Sequence, residues 1–281
     1  MAIDDSPASA EATHVVAQVA SALKAMVTVL HVYPRDVSTD QGAGLAAAAQ
    51  SLVERSVDIV RGSDAKANPA IRSANSDDVA DVILGLARTI PADLIVVGSR
   101  GRRSLAELLL GSVSHEVVAG APCPVLVIRS AHGLPARPVR KILLAIEGTA
   151  DVDALFAATA DLALALGAEV EVAHFALPDE GEIEKDLHHA RKSHGEQALD
   201  EISERLRAAG VNVNVVGLTG IGPIAHELAR QAEAEDADLI VVGSPKLTGV
   251  IDQLVGSVAD GVIHRTRRPV LLANAIPAHS T

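Results

Sequence analysis

The octapeptide Ala-Asp-Leu-Ile-Val-Val-Gly-Ser occupies residues 92–99 and returns unchanged at 237–244, 145 residues on (92 to 237). Leu110-Gly111-Ser112-Val113 is answered at the same spacing by Val255-Gly256-Ser257-Val258, and Pro124-Val125-Leu126 by Pro269-Val270-Leu271. Upstream, His31-Val32 is answered by His174-Phe175 at a spacing of 143 (31 to 174), so a short length difference lies between these landmarks. The chain is therefore a duplication, and whatever it folds into must close twice. Each half is about 140 residues, a common domain size with room for its own core, and far above the roughly 20–50 residues of a solenoid repeat. The reading is two domains, 1–130 and 138–281, joined by the Pro- and Gly-rich stretch from Ser130 to Pro138.

The second half states the order of elements most clearly. Lys141 to Ile146 is a continuous apolar run, as expected of a strand buried on both faces. Thr149 or Asp151 can cap a helix carrying Val152, Leu155, Leu162 and Leu166, which Gly167 stops. A strand to His174, a helical stretch over 179–209, a strand Val211 to Val216, a helix from Pro223, a strand Asp238 to Val242, a helix from Gly256 and a strand Pro269 to Ala273 follow. The first half repeats this order. Ser6-Pro7 starts a helix, Met26 to Val32 is a strand, 41–61 and 77–89 are helical, and Leu94 to Val97 and Val125 to Ile128 are strands. Such alternation predicts an α/β fold of two tandem doubly wound domains, each a parallel sheet with helices on both faces. One feature breaks the match. Only Met1, Ala2 and Ile3 precede Asp4, whereas Arg140 to Ile146 precede Glu147. Either the first domain tolerates a stub as its first strand, or residues upstream of Met1 belong to it.

Composition narrows the partners. A formal net charge of −12 repels DNA phosphates and anionic lipid, so neither nucleic acid nor membrane is expected. A single small anion in a local pocket is compatible with it. Tyr33, Phe156 and Phe175 are the only aromatics, too few for base-stacking platforms. No apolar run reaches the ~18–20 residues that span a bilayer, the acidic start Met1-Ala2-Ile3-Asp4-Asp5 lacks a signal-peptide layout, and Cys123 has no second cysteine to pair with. A cytoplasmic protein is expected.

Ligands of doubly wound sheets sit beyond the carboxyl ends of the strands. After the strand at 94–97 come Gly98-Ser99-Arg100-Gly101, nine residues, and then Gly111-Ser112-Val113-Ser114 opening a helix. Glycines let the backbone approach a ligand closely or take positive φ. The first amides of a helix have no internal acceptor, and the helix dipole favours an anion there. Ser112 and Ser114 add hydroxyls and Arg100 a full positive charge, an arrangement that suits a polyphosphate. A tight turn and a helix cap would also account for a lone glycine pair.

This run resembles the universal stress protein family, whose ATP-binding members carry glycine, two residues, glycine, nine residues, glycine and then Ser or Thr. Gly98, Gly101, Gly111 and Ser112 match without a gap. The resemblance covers nearly all of both halves. It implies a five-stranded parallel sheet of order 3-2-1-4-5 in each domain, and pairing of the last strands of two domains, here within one chain, with a homodimer as a further option. It also implies ATP, or a related adenine nucleotide, in the first domain. Asp4 and Val32 would lie on the nucleoside side. Gly98, Arg100, Gly101, Gly111, Ser112, Val113 and Ser114 would lie on the phosphate side, with Mg²⁺ arriving on the phosphates. The second half departs from the pattern. It keeps Gly243, Gly256 and Ser257, but Pro245-Lys246 stands where the second glycine belongs, and Glu147 replaces the aspartate. Lys246 could contact a phosphate, yet it cannot take positive φ cheaply, so weaker or lost binding is expected there.

Other signals point to structure. Gly220-Ile221-Gly222 lacks the acidic strand end of a dinucleotide site, and His188, His189 and His194 do not share one helix face well. No nucleophile–base–acid set is visible, so at most slow ATP hydrolysis is expected. The competing reading is an interaction scaffold of the same fold that needs no nucleotide.

Overall fold

The computed structural model describes residues 1–35, 39–99, 110–129, 137–146, 151–176, 185–219, 223–244 and 257–274. The chain divides into two compact units between Pro138 and Val139.

Unit 1 begins with β1 (Ala2–Ile3), α1 (Pro7–Leu23), β2 (Met26–Pro34), α2 (Thr39–Arg61) and β3 (Lys66–Ala74). A 3-10 turn at Ser76–Asp78 leads into α3 (Val79–Thr89), β4 (Ile95–Gly98), α4 (Ser112–Gly120) and β5 (Val125–Ile128). Unit 2 comprises β6 (Lys141–Ile146), α5 (Val152–Leu166), β7 (Glu169–Ala176), α6 (Lys185–Ala208) and β8 (Val213–Thr219). It ends with α7 (Ile224–Ala234), β9 (Leu239–Ser244), α8 (Ser257–Arg265) and β10 (Val270–Asn274).

In unit 2 the strands run β10-β9-β6-β7-β8, all pairs parallel, which is the expected 3-2-1-4-5 order read from the other edge. In unit 1, β1, β2 and β3 form one parallel ladder and β4 and β5 another. β6 pairs with β9 over Ile142–Ala145, whereas β1 lies beside β4 without a ladder. Ile3 pairs with His31 as Ile146 pairs with His174, so the stub keeps the register of the full strand.

β3 was not singled out in the sequence, and Pro69 explains why. A proline removes a ladder donor and is tolerated on an edge strand. β3 pairs only with β2 among the described strands, so one side of it has no ladder to disturb.

Both cores are aliphatic. Val53, Val60, Val117 and Val125 in unit 1, and Leu155, Leu206, Leu228 and Ile240 in unit 2, are fully buried. α1 packs on α2 and α3 on α4, which puts one pair on each face of the sheet, as right-handed crossovers require. At the amino ends of the unit 2 strands, Asp238 Oδ2 accepts the amides of Arg140 (2.9 Å) and Lys141 (3.1 Å), and Lys141 Nζ reaches Glu235 at 2.8 Å. Buried Glu171 accepts from Gln231 Nε2 at 2.9 Å. These contacts hold the end of the sheet that faces away from the strand termini where ligands sit.

The helix ends follow local chemistry. Ser6 accepts from Ser9 N ahead of Pro7, and Asp151, rather than Thr149, accepts from Ala154 N at 3.0 Å. α5 closes on Gly167 at φ 62°, whereas α1 closes on Lys24 at φ 53°. A side chain in this left-handed region costs roughly 1–2 kcal/mol, which glycine avoids. Lys24→Gly is therefore expected to stabilise the protein, and Gly167→Ala to destabilise it, each by about 1 kcal/mol in denaturant unfolding. No atom lies within 4 Å of a Cβ built at Gly167, so the second change tests backbone strain alone.

Candidate functional site

A cavity of about 750 Å³ opens in unit 1 at the carboxyl ends of β1, β2 and β4. This is the point where the strand order reverses, and the volume suits a small-molecule ligand. Asp4, Val32, Gly98, Gly111, Ser112, Val113 and Ser114 all line it. Residues named from four separate stretches of sequence thus meet around one space. Arg100 and Gly101 lie outside the described residues.

Asp4 follows β1 directly and is tied to the start of α1. Its Oδ1 accepts from Ser6 N at 3.1 Å, from the Ser6 hydroxyl and from the Ser9 hydroxyl at 2.6 Å, while its own amide donates to Ser9 Oγ at 2.9 Å. All its carboxylate hydrogen bonds among the described residues use Oδ1, and Oδ2 has no hydrogen-bond partner among them.

The geometry of the glycines differs from the simplest expectation. Neither Gly98 nor Gly111 has positive φ, and Gly111 sits at an ordinary φ of −65°. At Gly98 the backbone passes close to α1. A Cβ there would lie 3.2 Å from Ala8 Cβ in the first turn of α1. The Gly111 amide is not open to a ligand, because it donates to Ser99 O at 2.8 Å. The Ser114 hydroxyl is also engaged, donating to Gly98 O at 2.7 Å. These two bonds fasten the start of α4 to the end of β4. The amides of Ser112, Val113 and Ser114 have no hydrogen-bond partner among the described residues. The first helical bond of α4 is from His115 N to Gly111 O, and no side chain caps the helix. Ser112 is exposed and adds its hydroxyl.

The structure adds lining residues that the sequence reading passed over: His31 and Tyr33 on β2, Leu45, Ala48, Ala49, Leu52 and Arg55 on α2, and Ser76, Val79 and Ile83 around the start of α3. Leu45, Ala48, Ala49 and Leu52 recur at helical spacing, a signal that by itself marks only a buried face.

The universal stress protein family model matches residues 1–129 and again 138–274. The chain belongs to that family. A universal stress protein of Mycobacterium tuberculosis is 30% identical over 268 residues, covering 88% of this chain and 86% of its own. The solved structure of a universal stress protein from Archaeoglobus fulgidus shares the fold over 97% of this chain and 94% of its own, at a TM-score of 0.69 and 19% identity. A universal stress protein crystallised in complex with cAMP aligns with 48% of this chain and 97% of its own, at 23% identity and a TM-score of 0.38.

Within this tandem universal stress protein the second copy has kept the frame and changed the site. Gly243 has no atom within 4 Å of a built Cβ, so the packing need met by Gly98 is gone. Ala259 occupies the place of Ser114 and has no hydroxyl to fasten α8 to β9. Glu147, Pro245, Lys246 and Gly256 lie outside the described residues, as do Gly220, Ile221 and Gly222. His174 is buried against α6, where a Cβ on Gly195 would fall 2.1 Å from its Nε2.

Burial pushes the His174 imidazole below the usual histidine range, against the opposing pull of Glu196. The unfolded chain then takes up that proton more readily than the folded one. The contribution to stability is present above the ordinary value of 6.5 and is lost as the pH falls. His174→Leu is expected to flatten the melting-temperature curve just below that pH. An unchanged slope would assign the titration to another group.

A paired substitution tests the glycine argument. Gly98→Ala is expected to cost about 1 kcal/mol through overpacking against Ala8, and Gly243→Ala to stay within about 0.5 kcal/mol of wild type, both by chemical denaturation. Equal effects would contradict the close-approach role of Gly98.

Proposed function

We propose that unit 1 binds an adenine nucleotide, with ATP the best-fitting member of that class, and that the protein acts in the stress response through this binding. The carrying observation is the uncapped start of α4, whose three open amides face the same cavity as Asp4. An anionic tail would meet the amides of Ser112, Val113 and Ser114 and the hydroxyl of Ser112, with Arg100 and Gly101 completing the phosphate side. Helix amides and the helix dipole favour this charge without a lysine. Mg²⁺ would be carried by the triphosphate and would neutralise part of its charge. The free carboxylate oxygen of Asp4 suits a ribose hydroxyl, and the backbone around Val32 suits the edge of a base. Gly111 keeps the approach to the amides clear. Its φ is one any residue adopts, so glycine there serves access and not conformation.

Unit 2 is the weaker candidate. It lacks the Ser114 hydroxyl, and Lys246 replaces a motif glycine. We place nucleotide binding mainly in domain 1–130, with domain 138–281 a partner of the same fold.

A ligand that binds only the folded state raises its stability by about 2.7 kcal/mol at a concentration 100 times its Kd. Saturating Mg-ATP is expected to raise the melting temperature of the wild-type protein clearly. Gly111→Val should fold with an unchanged melting temperature in buffer and show no rise with ATP. A wild-type protein that ignores ATP, by melting and by calorimetry, would favour a scaffold that needs no nucleotide.

A further inference from the structure

Among the cavity residues, His31 has a ring held in one orientation by a group that can only accept. Its Nδ1 lies 2.7 Å from the carbonyl oxygen of Ile3, the last residue of β1. Nδ1 must therefore carry a proton whether the ring is neutral or charged. The other nitrogen, Nε2, has no partner among the described residues, and the ring lines the cavity. Nε2 accepts a hydrogen bond when the ring is neutral and donates one when it is charged. The charged and titratable groups around the same cavity are Asp4 and Asp5 after β1, Tyr33 on β2 and Arg55 on α2. α1 contributes Ser9, the start of α3 contributes Ser76, Val79 and Ile83, and the α4 end contributes Leu110 to Ser114, all uncharged.

The duplication supplies a contrast. His174 holds the same register against β6 as His31 holds against β1. Yet in unit 2 the ring abuts α6 at Gly195, with Nε2 covered by that helix. One histidine faces a ligand-sized space, and its counterpart faces a helix backbone.

We infer that His31 selects which purine unit 1 binds, and that its charge sets the preference. This rests on the nucleotide reading of the cavity. A neutral ring offers a lone pair at Nε2, which suits the 6-amino group of adenine, a donor. A charged ring offers an N–H, which opposes that amino group and suits the 6-oxo group of hypoxanthine, an acceptor. A mismatched pair leaves a buried polar group unsatisfied, an effect on the order of tenfold in affinity.

The test uses the full-length protein and two probes, Mg-ATP and Mg-ITP, titrated by calorimetry at pH 8 and pH 5.5. The two ligands share one triphosphate, so its own titration cancels in their ratio. ATP should bind about tenfold more tightly than ITP at pH 8, and the ratio should shrink to parity or invert at pH 5.5. His31→Gln, whose amide can present either a donor or an acceptor, should bind both with a ratio that does not move with pH. Should that variant fail to fold, the wild-type ratio alone decides. Binding of both ligands with the same ratio at the two pH values would overturn the role of His31 and leave the nucleotide reading standing. Absence of binding by either ligand at either pH would overturn both.

Discussion

The controlling constraint is the reversal of strand order between the first and fourth strands of each unit. Helices that follow strands on one side of that point pack on one face, and those on the other side pack on the opposite face. They diverge there and leave strand ends and helix amides uncovered. In unit 1 the first strand, Ala2–Ile3, forms no ladder with β4. What holds that strand end is local. Leu30 N donates to Met1 O at 2.9 Å, His31 Nδ1 meets Ile3 O, and Asp4 is bound to the first turn of α1 through Ser6 and Ser9. Of the residues in these contacts, Ile3, Asp4, Ser9, Leu30 and His31 also line the cavity.

The two copies act as controls for each other. Their strands share an order and their cores are built from the same small aliphatics, because a sheet covered on both faces needs little more than volume and pattern. Their sites differ, because site geometry depends on single atoms. The methyl group of Ala8 crowds the space beside Gly98, and no atom plays that part within 4 Å at Gly243. The Ser114 hydroxyl fastens a helix start to Gly98 O, and Ala259 cannot do so for its own copy. A bare Gly195 lets His174 lie against a helix in unit 2, while His31 lines the cavity in unit 1.

The sequence was enough to read the duplication, the alternation of strands and helices, the helix start at Ser6 and the stop at Gly167, and it narrowed the α5 cap to Thr149 or Asp151. Each depends on neighbours within a few residues, where backbone geometry leaves few choices. β3 escaped notice because Pro69 is acceptable only on an edge, and being an edge is a property of the whole sheet. The candidate site was legible as a list of positions, since a motif records which residue types recur at which spacing.

What each member of that list does was decided by the tertiary structure. Spacing cannot tell whether a glycine serves positive φ, access or close packing, and here neither Gly98 nor Gly111 has positive φ, while Gly98 packs close to Ala8. Nor can it tell which amides remain open. The bonds from Gly111 N to Ser99 O and from Ser114 Oγ to Gly98 O each join residues more than ten positions apart in the chain. His31 reads in sequence as one more residue of a strand. Only the approach of the Ile3 carbonyl, from a strand more than twenty residues earlier, fixes a proton on its Nδ1. Local chemistry is written along the chain. Roles that depend on a contact across the sheet exist only once the chain has folded, because the atoms that define them are far apart until then.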